Sequence, residues 1–114
     1  MEFTFRWWGP SDPVPLWKIR QIPGLDGLVT ALHELPAGAE WTLDALRERQ
    51  ALLEEHGFEL LVAESILVHE SIKLGEPERD RHIEAYARSI RNLGELGVRT
   101  LCYNFMPVFD WFRT

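Results

Sequence analysis

Side chains able to do chemistry collect where the short apolar runs of this sequence stop. Trp8 ends the run at residues 3–8, His33 follows 27–32, Glu64 and Ser65 close 59–64, and Tyr103 and Asn104 close 98–104. An imidazole in such a place can bind a substrate hydroxyl or carboxylate, or move a proton. The alternative for His33 is a loop imidazole held by backbone. Glu64 comes directly after Val62-Ala63, so its carboxylate starts partly buried and is either paired or functional. His69 and Glu70 lie five and six residues further on. They either complete a carboxylate and imidazole cluster or cap a loop in which Lys73 neutralises nearby carboxylates. Tyr103 and Asn104 offer hydrogen bonds to a polyol; otherwise Asn104 satisfies the turn into Met106-Pro107. Arg6, unusual on a strand, suits an anionic substrate or an ion pair with Glu64.

Other chemistries lack their signatures. The four histidines (His33, His56, His69 and His82) and the single Cys102 show no HxxxH, HxH or CxxC spacing, so no complete metal site is predicted from this chain. His56 and His82 read as solvated residues on helix surfaces, and Cys102 as a small buried thiol inside the fourth run. Five Trp allow a stacking platform, although packing explains most such rings equally well. There is no GxGxxG, GxxxxGK[ST] or GxSxG, which removes support for nucleotide and serine-hydrolase readings. Eighteen acidic against twelve basic residues give a net charge of −6, unsuited to a phosphate-backbone partner. One cysteine forms no internal disulfide, and no signal-peptide pattern or bilayer-length apolar run of ~20 residues occurs. A cytoplasmic protein with a small-molecule ligand, without nucleic acid or membrane partners, is the expectation.

The elements that must position these residues follow from the pattern. At 114 residues, 46% hydrophobic and 26% charged, the chain has ordinary globular composition and allows one domain. Runs two to four are nearly continuous in hydrophobicity, as strands covered on both faces are, which predicts a parallel sheet. Gly9-Pro10 ends the first run, and the turn-like Gly24-Leu25-Asp26-Gly27 leads into the second. A short helix is predicted over residues 14–22, closed by Pro23-Gly24. A second begins at Thr42 as N-cap and stops at Gly57. In a third, Ile83, Tyr86, Ala87, Ile90 and Leu93 recur at helical spacing and predict the buried stripe, with Arg81, Glu84, Arg88, Arg91 and Glu95 opposite and Gly97 as stop. The order β-α-β-α-β-α-β fits an open doubly wound sheet or part of a (β/α)8 barrel of about 250 residues. The aromatic segment from Phe105 to Phe112 with no following helix favours the barrel. The fold class expected is therefore α/β, the first half of a TIM barrel with parallel strands, and residues 1–114 as the N-terminal portion of a single, incomplete domain. Its outer strands would lack neighbours, so self-association is expected.

Several segments, in order along nearly the whole chain, resemble the N-terminal part of mannonate dehydratases. They are Phe5-Arg6-Trp7-Trp8-Gly9-Pro10 with Asp12-Pro13-Val14, Ile19-Arg20-Gln21, Val29-Thr30-Ala31-Leu32-His33, and Ala63-Glu64-Ser65 with Val68-His69-Glu70 and Ile72-Lys73-Leu74-Gly75. Arg91-Asn92-Leu93-Gly94 and the specific string Cys102-Tyr103-Asn104-Phe105-Met106-Pro107 complete them, with Val108 and Asp110-Trp111 beyond. Leu67 and Phe112 depart from the family's usual Pro and Thr. The resemblance implies a xylose-isomerase-like barrel and dehydration of D-mannonate to 2-keto-3-deoxy-D-gluconate in hexuronate catabolism. It further implies Mn2+ or Fe2+ held by later strands outside this chain, a sugar-acid ligand and a homo-oligomer. On this reading Trp8, His33, Glu64, His69 and Asn104 contact substrate, the general acid and base stay unassigned, and the 114-residue chain alone is inactive. A non-catalytic half-barrel module and another xylose-isomerase-like isomerase or epimerase are the alternatives.

Overall fold

The computed structural model describes residues 1–108. The aromatic positions beyond, including Asp110-Trp111 and the departure at Phe112, lie outside the described residues. Strands β1 (Thr4–Arg6), β2 (Gly27–Thr30), β3 (Glu59–Glu64) and β4 (Thr100–Cys102) alternate with helices α1 (Leu16–Ile19), α2 (Leu43–Glu55), α3 (Glu70–Leu74) and α4 (Arg79–Glu95). All strand pairings are parallel, and the sheet order is β1-β2-β3-β4. Consecutive strands as consecutive neighbours is the arrangement of successive βα units in a barrel. Among the described residues no helix is long and apolar enough to cross a membrane.

Local chemistry explains the elements that match their prediction. Thr42 caps α2, its side chain accepting from the Ala45 N–H at 3.3 Å. Gly57 then leaves the helix at φ +76°, a conformation in which a Cβ is costly. β3 spans the predicted residues, and Leu60 and Ala63 are its buried positions. Phe58, 2% exposed, packs with Leu28, Leu46, Leu53 and Val98. Burying a ring of that size is worth roughly 2–3 kcal/mol.

β1 is shorter than the predicted run. The chain leaves the ladder after Trp7, whose N–H donates to the Val29 carbonyl at 2.9 Å. The Asp12 carboxylate then accepts from the Trp8 N–H at 2.7 Å and the Val14 N–H at 2.8 Å, turning the backbone aside. Only Trp7 of the alternating aromatics is buried; Phe3 and Phe5 stay exposed on the outer strand. α1 is likewise confined to four residues, between Pro15 and a turn at Arg20.

Four expectations are corrected. The buried stripe of α4 is His82, Ala85, Ser89 and Leu93 with half-buried Tyr86, whereas Ile83 and Ile90 are exposed. The loop after β2 decides this: Trp41 donates its N–H to Ser89 Oγ at 2.9 Å, and Asn92 donates to the Trp41 carbonyl at 2.8 Å. Small polar side chains let that backbone approach where larger apolar ones would hold it off. His82 is accordingly buried instead of solvated. Cys102 is exposed instead of buried, because β4 is an outer strand of the sheet. Residues 70–74, read as loop, form the additional helix α3. His69 Nδ1 accepts from the Ser71 N–H at its start, Glu70 and Lys73 pair across one turn at 2.7 Å, and Gly75 closes it at φ +70°.

Candidate functional site

At the carboxyl ends of the strands lies a cavity of about 720 Å³. Each strand contributes: Arg6 and Trp8 from β1, His33 just beyond β2, Glu64 and Ser65 from β3, and Cys102, Tyr103 and Asn104 from β4. Ligands of parallel α/β sheets gather at this end, because the strands stop together while the loops diverge. A second cavity of about 560 Å³ lies at the amino ends, lined by Glu2, Glu54, Glu59 and Arg99 among others, and contains no imidazole.

The polar groups of the first cavity form a continuous string. Glu64 Oε2 is 3.2 Å from Arg6 Nε, so β1 and β3 are linked across the intervening β2. The Arg6 guanidinium lies over the Trp8 ring, 3.5 Å from its centroid. Trp8 in turn stands 5.3 Å, centroid to centroid, from His33. Burial pushes the His33 imidazole below its ordinary value, and the Arg6 and Arg49 cations push it the same way against Glu34. A hydrogen bond between the ring and the Trp7 backbone opposes the lowering, as Glu34 does, and occupies one ring nitrogen.

Of the five predicted contact residues, the cavity brings together Trp8, His33, Glu64 and Asn104. The structure places His69 elsewhere: it caps α3 and stacks on His82 with ring centroids 3.7 Å apart. Glu70, its neighbour, turns to Lys73 and to the Val108 N–H at 3.0 Å.

Sequence reasoning passed over Arg49. Only 5% exposed on α2, it donates to the Ala31 carbonyl at 2.8 Å and to Glu34 Oε1 at 2.7 Å. Both bonds tie down the segment carrying His33. Its head also stands beneath Gly9, whose φ of +91° lets the backbone pass close to both Arg49 and His33. A signal existed. Arg49 falls on the apolar stripe of α2 between Leu46 and Leu53, where an unpaired cation would be costly.

Among the described residues no three His, Cys, Asp or Glu side chains come together as a metal would need. Glu64 is engaged by Arg6, and His33 faces two cations, so this donor set does not fit a divalent ion by itself.

The family profile of D-mannonate dehydratase (UxuA) matches residues 1–114. The chain belongs to the D-mannonate dehydratase family. A mannonate dehydratase of Oceanobacillus iheyensis is 53% identical over 114 residues, covering 100% of this chain and 33% of that protein. Mannonate dehydratase 1 of Bacillus licheniformis is 54% identical over 115 residues, covering 100% of this chain and 32% of its own. The crystal structure of mannonate dehydratase from Streptococcus suis serotype 2 superposes with a TM-score of 0.93 at 52% identity, over 99% of this chain and 32% of that one. The chain spans about a third of the length of these mannonate dehydratases. The α/β fold with four parallel strands is that of the matching part of a TIM-barrel enzyme.

Proposed function

We propose that this chain supplies the wall, from its first four strands, of a site that dehydrates D-mannonate to 2-keto-3-deoxy-D-gluconate. The observation that carries the reading is the strand-end cavity. One cation, one carboxylate, an imidazole and an amide line it beside two indoles, within a chain of the mannonate dehydratase family. A sugar acid offers matching groups: a carboxylate, a row of hydroxyls and an apolar C–H face. Trp8, His33, Glu64 and Asn104 are the proposed contacts, with His69 acting at most through the loop it supports.

The reaction is an elimination. A base takes the C2 proton, the C2–C3 electron pair forms, the C3 hydroxyl leaves as water after receiving a proton, and the enol becomes the 2-keto product. In this reading Glu64 and Asn104 orient hydroxyls, His33 hydrogen-bonds one through the ring nitrogen that does not meet the Trp7 backbone, and Trp8 excludes water from one flank. Mn2+ or Fe2+, held by residues outside this chain, would supply Lewis-acid chemistry; the roles described for these side chains do not depend on it. Residues 1–114 form one portion of a single barrel domain of a cytoplasmic homo-oligomer on this proposal.

The test is made on the protein at its native length, purified from its source and supplied with Mn2+ or Fe2+. Formation of 2-keto-3-deoxy-D-gluconate from D-mannonate is expected, and its loss in Trp8→Ala. A metal-loaded protein that leaves D-mannonate unchanged overturns the reading.

A further inference from the structure

We infer that Arg6, set between Trp8 and Glu64, is the residue by which the site selects a 2-hydroxy acid over a neutral sugar. The inference rests on the proposed sugar-acid site and names the group that reads the acid. Arg6 is the only Lys or Arg lining the strand-end cavity among the described residues. The other group there able to carry positive charge, His33, has its pKa lowered by burial and by the Arg6 and Arg49 cations.

The guanidinium is held on two sides. One face is covered by the Trp8 ring, and Nε is engaged by Glu64 Oε2 at 3.2 Å. The first is a stacking contact and the second an ion pair at Nε; neither uses the edge formed by Nη1 and Nη2, and Arg6 makes no side-chain hydrogen bond among the described residues. A guanidinium fixed in plane with two N–H donors in reserve is a preformed carboxylate receptor. Glu64 is part of the same receptor. Its Oε2 turns to Arg6, which leaves Oε1 to accept from the hydroxyl next to the bound carboxylate. An adjacent carboxylate and hydroxyl is the defining feature of a 2-hydroxy acid.

The ion pair is also a competitor. Arg6 and Glu64 are 41% and 30% exposed, so neither charge is locked away and an incoming carboxylate can share the guanidinium. Glu64 therefore orients Arg6 at the expense of some attraction for the ligand's negative charge.

The experiment compares dissociation constants for D-mannonate and D-mannitol, its uncharged counterpart, by calorimetry on the native-length protein. The unmodified protein is expected to prefer the acid by about tenfold or more, the scale of one charge-assisted pair. In Arg6→Gln that preference should fall to unity or below, because Glu64 is left unpaired beside the ligand's carboxylate, while mannitol binding changes far less than mannonate binding. In Glu64→Gln the preference should rise a few-fold, because the competitor is gone and an amide oxygen still accepts. Arg6→Gln weakening both ligands equally would mean a structural role and overturn the inference, as would a preference that survives in that variant. Should Arg6→Gln fail to fold, a preference that falls in Glu64→Gln overturns it alone. A protein that prefers the acid through Arg6 but never dehydrates it would overturn the proposed reaction and leave this inference standing.

Discussion

Two clusters of imidazole and guanidinium groups lie on either side of the loop that follows β2, and they put the same side chains to different use. At the cavity, Arg6, Trp8, His33 and Glu64 follow one another in a string that lines open space, with the Nη edge of Arg6 making no hydrogen bond among the described residues. Beneath the loop, His69, Ser71 and His82 form a closed chain. The Ser71 N–H donates to His69 Nδ1 at 3.2 Å. Ser71 Oγ lies 2.9 Å from the same Nδ1 and 2.7 Å from His82 Nδ1, bridging the two rings. Arg81 donates to His82 Nε2 at 3.3 Å, which completes the sequence of donors and acceptors. Every step satisfies the next, and Gly38 presses on the stacked rings. His33 lines a cavity while His69 and His82 are bridged to each other through Ser71, so the position of an imidazole relative to open space, and not burial alone, separates the two clusters.

The largest effect that separates the clusters is expected at Gly38. Its φ is +84°, and a Cβ there would meet His82 Cδ2 at 2.7 Å and His69 Cδ2 at 3.0 Å. Gly38→Ala should cost roughly 2–3 kcal/mol in urea unfolding of the native-length protein, from backbone strain and displaced rings together. A loss below a few tenths of a kcal/mol would show that the loop does not rest on the histidine pair.

Arg49→Met comes next, at about 2 kcal/mol, because the Ala31 carbonyl loses its partner in a buried place. Unlike Gly38→Ala, this change should weaken D-mannonate binding more than its stability loss accounts for, since the His33 segment loses both ties. Calorimetry at a temperature where the variant is fully folded checks that. Ser71→Ala should cost about 1–2 kcal/mol by removing the bridge between two imidazoles. Its affinity for D-mannonate should remain that of the unmodified protein. A matching loss of affinity would join the two clusters into one site and break the comparison.

The smallest effect is on pH dependence. Burial, then the nearby His69 and Arg81, push His82 below its ordinary value of 6.5, with Glu78 opposing. The unfolded chain therefore binds the proton first as pH falls. Stability from this group is complete above 6.5 and is lost as pH drops from there toward the lower folded value. Thermal unfolding followed through that window should show a falling midpoint, and His82→Gln should flatten the fall. An unchanged slope would mean that His82 titrates normally.

Much of the fold was legible because its signals are local. Thr42 accepts from an N–H three residues on, and Gly57 and Gly97 adopt the positive φ that ends a helix before a strand, whatever else the chain does. Apolar runs that stop at Trp8, His33, Glu64 and Asn104 were sufficient to bring these four to one cavity, because parallel strands in sequential order carry all their ends to the same side. Hydrophobic periodicity misjudged α4 for a reason that is not local. What faced Ser89 and Asn92 was the backbone of Trp41, roughly fifty residues away, and a close backbone favours small polar partners.

By itself, then, the sequence determined the alternation of strands and helices, their caps, and the chain positions at which chemistry gathers. These depend on turns, spacing and propensity within a few residues. Only the tertiary structure decided that Arg6 reaches Glu64 across β2, that Arg49 holds the His33 segment, and that His69 turns to Ser71 and His82 and away from the cavity. Those outcomes depend on which distant donor meets which acceptor once water is excluded, and folding settles that pairing by leaving few buried polar groups unmatched.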